Sequence, residues 1–214
     1  MSVKLVSLTD PKIGSVISSA EDFIVYCARV SNPLNQLNTE TSPKLLNYLI
    51  KHNHWSPFEM ASMTIEIETS RAIAAQILRH RSFSFQEFSQ RYSEATTLQE
   101  IEWRLQGKTN RQVGDDIVNL KQSLDLRVKA LQRECLDVYN DLLKAGLAKE
   151  CARMVLPLNT STRIYMTGNI RSWIHYVLIR QEESTQKEHR NIALGIKNIL
   201  IQNFPNTSIA LNWL

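Results

Sequence analysis

The residues able to do chemistry crowd into one stretch, Arg79-His80-Arg81-Ser82-Phe83-Ser84-Phe85-Gln86-Glu87-Phe88-Ser89-Gln90-Arg91-Tyr92. Four cationic or titratable donors, one carboxylate, three serines and four aromatic rings lie within fourteen residues, a density that a plain core element does not carry. The grouping points to a bound ligand. Arg79, His80 and Arg81 fall at the end of a helical pattern, where successive side chains point about 100° apart. Three such residues cannot grip one small ligand, so they would serve an extended ligand or separate sites, including sites shared across a subunit boundary. Beyond them, the period-two geometry of an extended chain places Glu87, Ser89 and Arg91 on one face and Gln86, Phe88, Gln90 and Tyr92 on the other. Two other readings stand beside this one. The first is a basic helix end favoured by the macrodipole and followed by a packed amphipathic strand. The second is a set of rings interleaved with cations for stacking RNA or single-stranded DNA. It lacks an RNA-recognition consensus, and Glu94, Glu100 and Glu102 interrupt the basic character.

A chain of 214 residues is long enough for one domain with a true core and short for two, so a single domain over 1–214 is expected. Hydrophobic content of 43% with 21% charge is that of a soluble globular protein and excludes the disordered, coiled-coil and collagen classes. No apolar run approaches the ~20 residues that span a bilayer, and the first residues, Met1 to Ser7, lack a signal-peptide core; a cytoplasmic protein without membrane contact is expected. Cys27, Cys135 and Cys151 contain no Cys-x-x-Cys and read as reduced thiols. The histidines, His52, His54, His80, His175 and His189, show no zinc spacing, so no metal site is expected. Net charge of +4 favours anionic partners without choosing among nucleic acid, nucleotides and phosphorylated cofactors. None of the six glycines forms a Gly-x-Gly-x-x-Gly, which excludes a Rossmann dinucleotide site.

Around the stretch, Val3 to Leu8 alternates as a strand, and Ser19 or Asp22 caps a helix running to Arg29. Asn32 to Thr41 reads as loop. Ser42-Pro43 starts a helix that ends near His52. Met63 to Glu68 gives the strongest strand signal, one face apolar and the other acidic. Ser70 caps a helix from Arg71 to about Arg81, with Ala74, Ile77 and Leu78 inward. From Val113 to Leu143 apolar residues recur every three or four positions, which predicts one helix of roughly 45 Å ended at Gly146; it frames the fold, packs on other subunits, or is broken near Ser123. A short helix over Ala148–Leu156 precedes a strand from Thr160 to Thr167. Asn169 caps a helix with Trp173, Val177 and Leu178 inward, and a last helix runs from Thr185 to Phe204. Strands and helices in irregular order predict α+β, a mixed or antiparallel sheet with packed helices and one long helix.

Arg79-His80-Arg81, seven further residues and Ser89, continued by Arg91-Tyr92, resemble the Arg-His-Arg-x7-Ser motif of flavin-dependent thymidylate synthases. Supporting pieces are Ala28-Arg29-Val30-Ser31, His54-x-Ser56-Pro57-Phe58-Glu59, Gln76, Ala152 to Pro157, Asn169-x-Arg171-Ser172, and Arg180 with Gln186 and Glu188. Together they span about residues 28 to 188 and leave the termini and the long helix without matching residues. The resemblance implies methylation of dUMP at C5 with a methylene group from 5,10-methylenetetrahydrofolate and a hydride from FAD reduced by NADPH, giving dTMP. It further implies a homotetramer with flavin sites at subunit junctions, and no nucleic-acid partner.

Carried over residue by residue, the resemblance assigns FAD contacts to Ser31, His54, Ser56, Arg79, His80, Arg81, Glu87, Asn169, Arg171 and His175. It assigns dUMP contacts to Gln76, Arg79, Glu87, Ser89, Gln90, Arg91, Arg153 and Arg180, with Arg91 and Arg153 on the phosphate. Arg180 would be the catalytic residue, stabilising charge on the uracil ring. Two positions depart from the family pattern: Gln86 stands where many members carry Asn, and Ser184 where many carry His. Any FAD must be held by side chains, given the glycines. Ser89 has no base beside it and reads as a binding residue; of the thiols that an attack on C6 would need in an electropositive pocket, Cys135 lies on the apolar stripe of the long helix, Cys27 beside Phe23 and Ile24, and Cys151 is near Arg153 but lacks the context of the rival synthases.

Overall fold

The computed structural model describes residues 1–94, 97–108 and 110–214. Strand β1 (Ser2–Leu8) leads through helix α1 (Ala20–Ala28) and helix α2 (Ser42–Lys51) to strand β2 (Ser62–Ser70), helix α3 (Arg71–Ile77) and strand β3 (Ser84–Glu87). A hairpin of β4 (Arg104–Gln106) and β5 (Gly114–Ile117) precedes the long helix α4 (Gln122–Lys144) and the short helix α5 (Lys149–Ala152). Strand β6 (Ser161–Asn169) then runs into helices α6 (Ile170–Arg180), α7 (Lys187–Asn203) and α8 (Pro205–Ala210). The α+β expectation holds. The main sheet has the order β1-β2-β6-β3, with every pairing antiparallel.

Alternation decides which face is core. Met63, Ile65 and Ile67 of β2 and Ile164 and Met166 of β6 are fully buried, and the register sets Ile65 opposite Met166 and Ile67 opposite Ile164. The residues between them, Glu66, Glu68, Arg163 and Tyr165, form the polar face, where Arg163 reaches Glu68 at 2.8 Å. Helices α3, α6 and α7 supply Ile73, Ile77, Trp173, Ile174, Val177, Ile192 and Ile196 to the buried side. The caps follow the expected residues: Ser19 accepts from Asp22 N, Ser70 from Ile73 N and Asn169 from Ser172 N. Gly146, at φ +82°, ends α4.

Several expectations are corrected. The predicted helix from Val113 begins only at Gln122, so α4 has 23 residues and is about 35 Å long. Val113 and Ile117 fell at helical spacing by coincidence; Gly114–Ile117 pairs with Arg104–Gln106, and neither strand was expected. Helix α3 stops at Ile77, which removes Arg79 to Arg81 from the helix and leaves Leu78 exposed. Strand β3 stops at Glu87, and the chain turns where Tyr92 N and Ser93 N both donate to Ser89 O, so Glu87, Ser89 and Arg91 share no strand face. Ser42 lies inside α2 and does not cap it; its hydroxyl is buried without a partner among the described residues. Leu178 points outward.

Candidate functional site

The motif residues fold back on themselves around Phe83. Backbone bonds from Arg79 N to Gln76 O and from His80 N to Ile77 O continue the helix as a turn, after which Phe83 dives beneath β6. A side chain at Gly168 would place its Cβ 2.5 Å from the Phe83 ring, so this close approach requires glycine. Phe83 also meets Trp173 edge to face, with centroids 4.6 Å apart. The buried ring pins the stretch, while Arg79 and Arg81 stand exposed and form no ion pair among the described residues.

His80 alone of the three turns inward. Its ring lies 4.9 Å from Tyr176, nearly perpendicular, and its Nε2 accepts from Arg180 Nε at 2.9 Å. An accepting Nε2 means a neutral ring with its proton on Nδ1. Burial, helped by the Arg180 and His175 charges, lowers the His80 pKa from 6.5 to about 4 and keeps it neutral. Arg180 is thereby tethered through Nε, with its two terminal nitrogens left for a ligand.

Behind this pair runs a second group of contacts. His189, fully buried, contacts Tyr176 Oη through Nε2 at 3.0 Å and Gln76 Oε1 through Nδ1 at 3.2 Å. Gln76 Nε2 donates to Gln186 Oε1 at 2.7 Å, and Gln186 Nε2 donates to Glu188 Oε2 at 2.9 Å. Glu188 is paired in turn with Arg104 from the β4–β5 hairpin, at 2.6 Å. Burial, with smaller contributions from Arg180 and His80, lowers the His189 pKa to about 3, and burial raises the Tyr176 phenol well above its ordinary value. The unfolded chain protonates these imidazoles near pH 6.5, whereas the folded chain resists until about pH 4 and 3. Stability is therefore present above pH 6.5 and is lost as pH falls through this window. Urea midpoints should drop between pH 6.5 and 4, and less steeply in His189→Asn; an equal slope in both proteins would exclude His189 as a contributor.

The remaining expected residues fall in several places. A cleft of about 680 Å³ collects Asn169, Arg171 and His175 with Trp55, Asn53 and Ser82. Asn53 adopts a left-handed conformation, φ 57°, and His54 N returns to Leu49 O at 2.8 Å; this turn carries His54 and Ser56 beside the cleft, both exposed. Arg171 is paired with Glu59. Asn169 uses Oδ1 to cap α6, which leaves its Nδ2 for a ligand. Ser31 lies in a separate groove beside Arg29, which is buried and donates to the carbonyls of Asn35 and Asn38 and to the Thr41 hydroxyl.

Glu87 sits at the end of the core face, held by Arg71 at 2.5 Å and the Thr162 hydroxyl at 2.9 Å. With Ser89 it borders a third hollow, which Tyr92 and Arg163 also line. Arg91 meets Glu150 at 3.3 Å in an exposed pair, Arg153 starts a 3-10 turn after α5, and Gln90 is 6% exposed with Nε2 lacking a partner among the described residues. A buried amide donor without an acceptor costs roughly 1–3 kcal/mol, which a ligand oxygen would recover. Thus Gln76, His80 and Arg180 come together, Asn169, Arg171 and His175 come together, and Glu87 with Ser89 borders neither group. Sequence reasoning gave no role to Tyr176, His189 or Arg104; the only signal was the polar run Gln186-x-Glu188-His189 opening an amphipathic helix.

Comparison with known proteins adds three findings. Residues 13–206 match the family model described as thymidylate synthase complementing protein. The chain is 49% identical over 216 residues to a probable flavin-dependent thymidylate synthase of Paramecium bursaria Chlorella virus 1, and 50% identical over 218 residues to a flavin-dependent thymidylate synthase of Synechocystis sp.; each alignment covers 100% of both chains. Among solved structures, a UMP/dUMP methylase, PolB from Streptomyces cacaoi bound with 5-Br dUMP, matches with a TM-score of 0.81 and 26% identity, covering 100% of this chain and 95% of that one.

Proposed function

Because the chain belongs to the flavin-dependent thymidylate synthase family, we propose that it converts dUMP to dTMP, with 5,10-methylenetetrahydrofolate as carbon donor and NADPH as reductant. FAD, when bound, supplies the hydride. The observation that carries this reading is the tether of Arg180 through Nε to a neutral His80. Methylation at C5 requires the uracil ring to act as a carbon nucleophile, so negative charge grows on its carbonyls and N3. A guanidinium whose terminal nitrogens are free, held by a partner that adds no charge, suits that task. Gln76, two hydrogen bonds already committed, keeps an amide proton for the same ring. Arg91 and Arg153 would take the phosphate. The exposed Arg91–Glu150 pair is worth little and yields readily to a dianion, while Ser89 and the unpartnered Gln90 amide complete the nucleotide contacts.

The residues fit a flavin held without a glycine-rich loop. Asn169, Arg171 and His175 line a cleft whose volume of about 680 Å³ has room for an isoalloxazine ring, with His54 and Ser56 next in sequence to its lining residues, and Arg79 and Arg81, unpaired among the described residues, are available for a pyrophosphate. Glu87 and Ser31 face other hollows, which suits a cofactor shared between copies. Leu124, Leu131 and Val138, seven residues apart along α4, are all exposed, and such an apolar stripe calls for cover. A homotetramer with sites at subunit junctions accounts for both features. Residues 1–214 form its single domain, and a cytoplasmic setting suits the three free thiols. No described helix is long and apolar enough to cross a membrane.

Purified protein should be yellow, or become so with FAD, and its flavin absorbance should shift on adding dUMP. A colourless protein that ignores FAD and binds oligonucleotides with steep salt dependence would sink this reading.

A further inference from the structure

The contacts behind Arg180 have a direction. A carboxylate can only accept hydrogen bonds. Glu188 Oε2 therefore compels Gln186 to turn its Nε2 towards it, at 2.9 Å, and its Oε1 away. That oxygen accepts from Gln76 Nε2, at 2.7 Å, so Gln76 Oε1 faces His189. His189 Nδ1 must then carry the proton, and the bare Nε2 accepts from the Tyr176 hydroxyl at 3.0 Å. One charge orients two amides, an imidazole and a phenol.

We propose that Glu188, anchored by Arg104, is a positioning residue that fixes the direction of this chain and thereby the amide proton that Gln76 offers to the uracil ring. The proposal rests on the reading of Gln76 as a dUMP contact. Arg104 is well placed as the anchor: its two terminal nitrogens reach Glu188 at 2.6 Å and Glu102 at 2.7 Å, and Lys187 holds Glu102 from the other side at 2.7 Å. Gly114 on the paired strand leaves room for it, since a Cβ there would stand 2.7 Å from Arg104 Cβ and 3.4 Å from Nε. The β4–β5 hairpin thus delivers an arginine to the start of α7. Without the carboxylate the chain can run in reverse: Gln186 and Gln76 flip, His189 moves its proton to Nε2, and Gln76 presents an oxygen where the uracil carbonyl needs a donor.

Glu188→Gln keeps the shape and removes the acceptor-only end. In protein labelled with nitrogen-15 histidine and free of nucleotide, two-bond proton–nitrogen correlations should show His189 as the Nδ1–H tautomer in the wild type and shifted to Nε2–H in Glu188→Gln, because the donor-only Arg104 claims the new amide oxygen and turns its nitrogen to Gln186. Calorimetry on the FAD-loaded proteins should show dUMP bound about tenfold more weakly by Glu188→Gln, the scale of one hydrogen bond. Arg104→Met alone keeps the acceptor-only carboxylate but frees it to swing away from Gln186, so it should shift both readouts the same way and by less, and added to Glu188→Gln it should weaken dUMP no further. An Nε2–H tautomer in the wild type overturns the proposal, as do unchanged His189 signals in Glu188→Gln. A changed tautomer with unchanged dUMP affinity overturns the link to Gln76. If even the wild type fails to bind dUMP, the substrate reading falls instead, and the tautomer pattern still decides whether Glu188 sets the direction.

Discussion

Arg180→Ala should retain flavin at the wild-type level and form dTMP on the order of 100-fold to 1,000-fold more slowly, the usual consequence of removing one preorganised charge stabiliser. Retention of flavin follows from geometry, because the cleft containing Asn169, Arg171 and His175 does not include Arg180. The rate loss follows from the guanidinium being the cation tethered to His80, whose ring lies 6.2 Å from that of His189, the partner of Gln76. Arg180→Lys should recover little of the rate. An ammonium cannot donate from an Nε to His80 and still present a two-pronged fork. Although burial is the main reason His80 and His189 stay neutral, the Arg180 charge contributes at both, so both imidazoles should titrate at higher pH in the alanine variant. Single-turnover dTMP formation, flavin absorbance and histidine titration by NMR check the three parts. Wild-type turnover in Arg180→Ala would remove its assigned role.

The largest structural effect is expected at Trp173. Its side chain is fully buried, its indole N–H donates to Met63 O at 3.0 Å, and it meets Phe83 and Tyr176 edge to face, with centroids 4.6 Å and 6.0 Å away. Replacement by alanine should cost about 3–5 kcal/mol through lost transfer energy and the cavity left behind. Trp173→Phe should restore most of the packing and leave about 1 kcal/mol for the lost hydrogen bond. Urea unfolding measures both. Because Trp173 supports Phe83, which pins the motif, and Tyr176, on which His80 rests, Trp173→Ala should also weaken dUMP binding in protein that remains folded. A variant that loses stability and keeps dUMP affinity would show that the motif is held by other means.

The sequence carried the sheet and the helix caps because those depend on neighbours. Met63 to Glu68 and Thr162 to Met166 alternate visibly, and Ser19, Ser70 and Asn169 cap helices within three residues of themselves. The motif stretch was legible from its composition and family likeness; its path was not. Extension past Glu87 failed because the Ser89 carbonyl captures two amides and folds the chain back. The hairpin was hidden because Val113, Ile117, Leu120 and Leu124 share a helical period, and nothing local shows that Gly114 is small so that Arg104 can lie across it. The polar network was the least visible part. Gln76 and His189 are 113 residues apart and Arg104 and Glu188 are 84 apart, so the sequence could show their types but not their meeting.

The strand order β1-β2-β6-β3 makes the sheet a long-range construction. Its two middle strands are joined at the hydroxyls of Thr64 and Thr167, 2.9 Å apart in space and 103 residues apart along the chain. Ordering so long a loop must precede the burial that rewards it, which slows folding. During synthesis the apolar side of β2, with Met63, Ile65 and Ile67, has no β6 to pair with until about residue 169 has emerged. A ribosome making this protein therefore carries a half-built sheet edge for nearly half of translation, an aggregation hazard of the kind that nascent-chain chaperones shield.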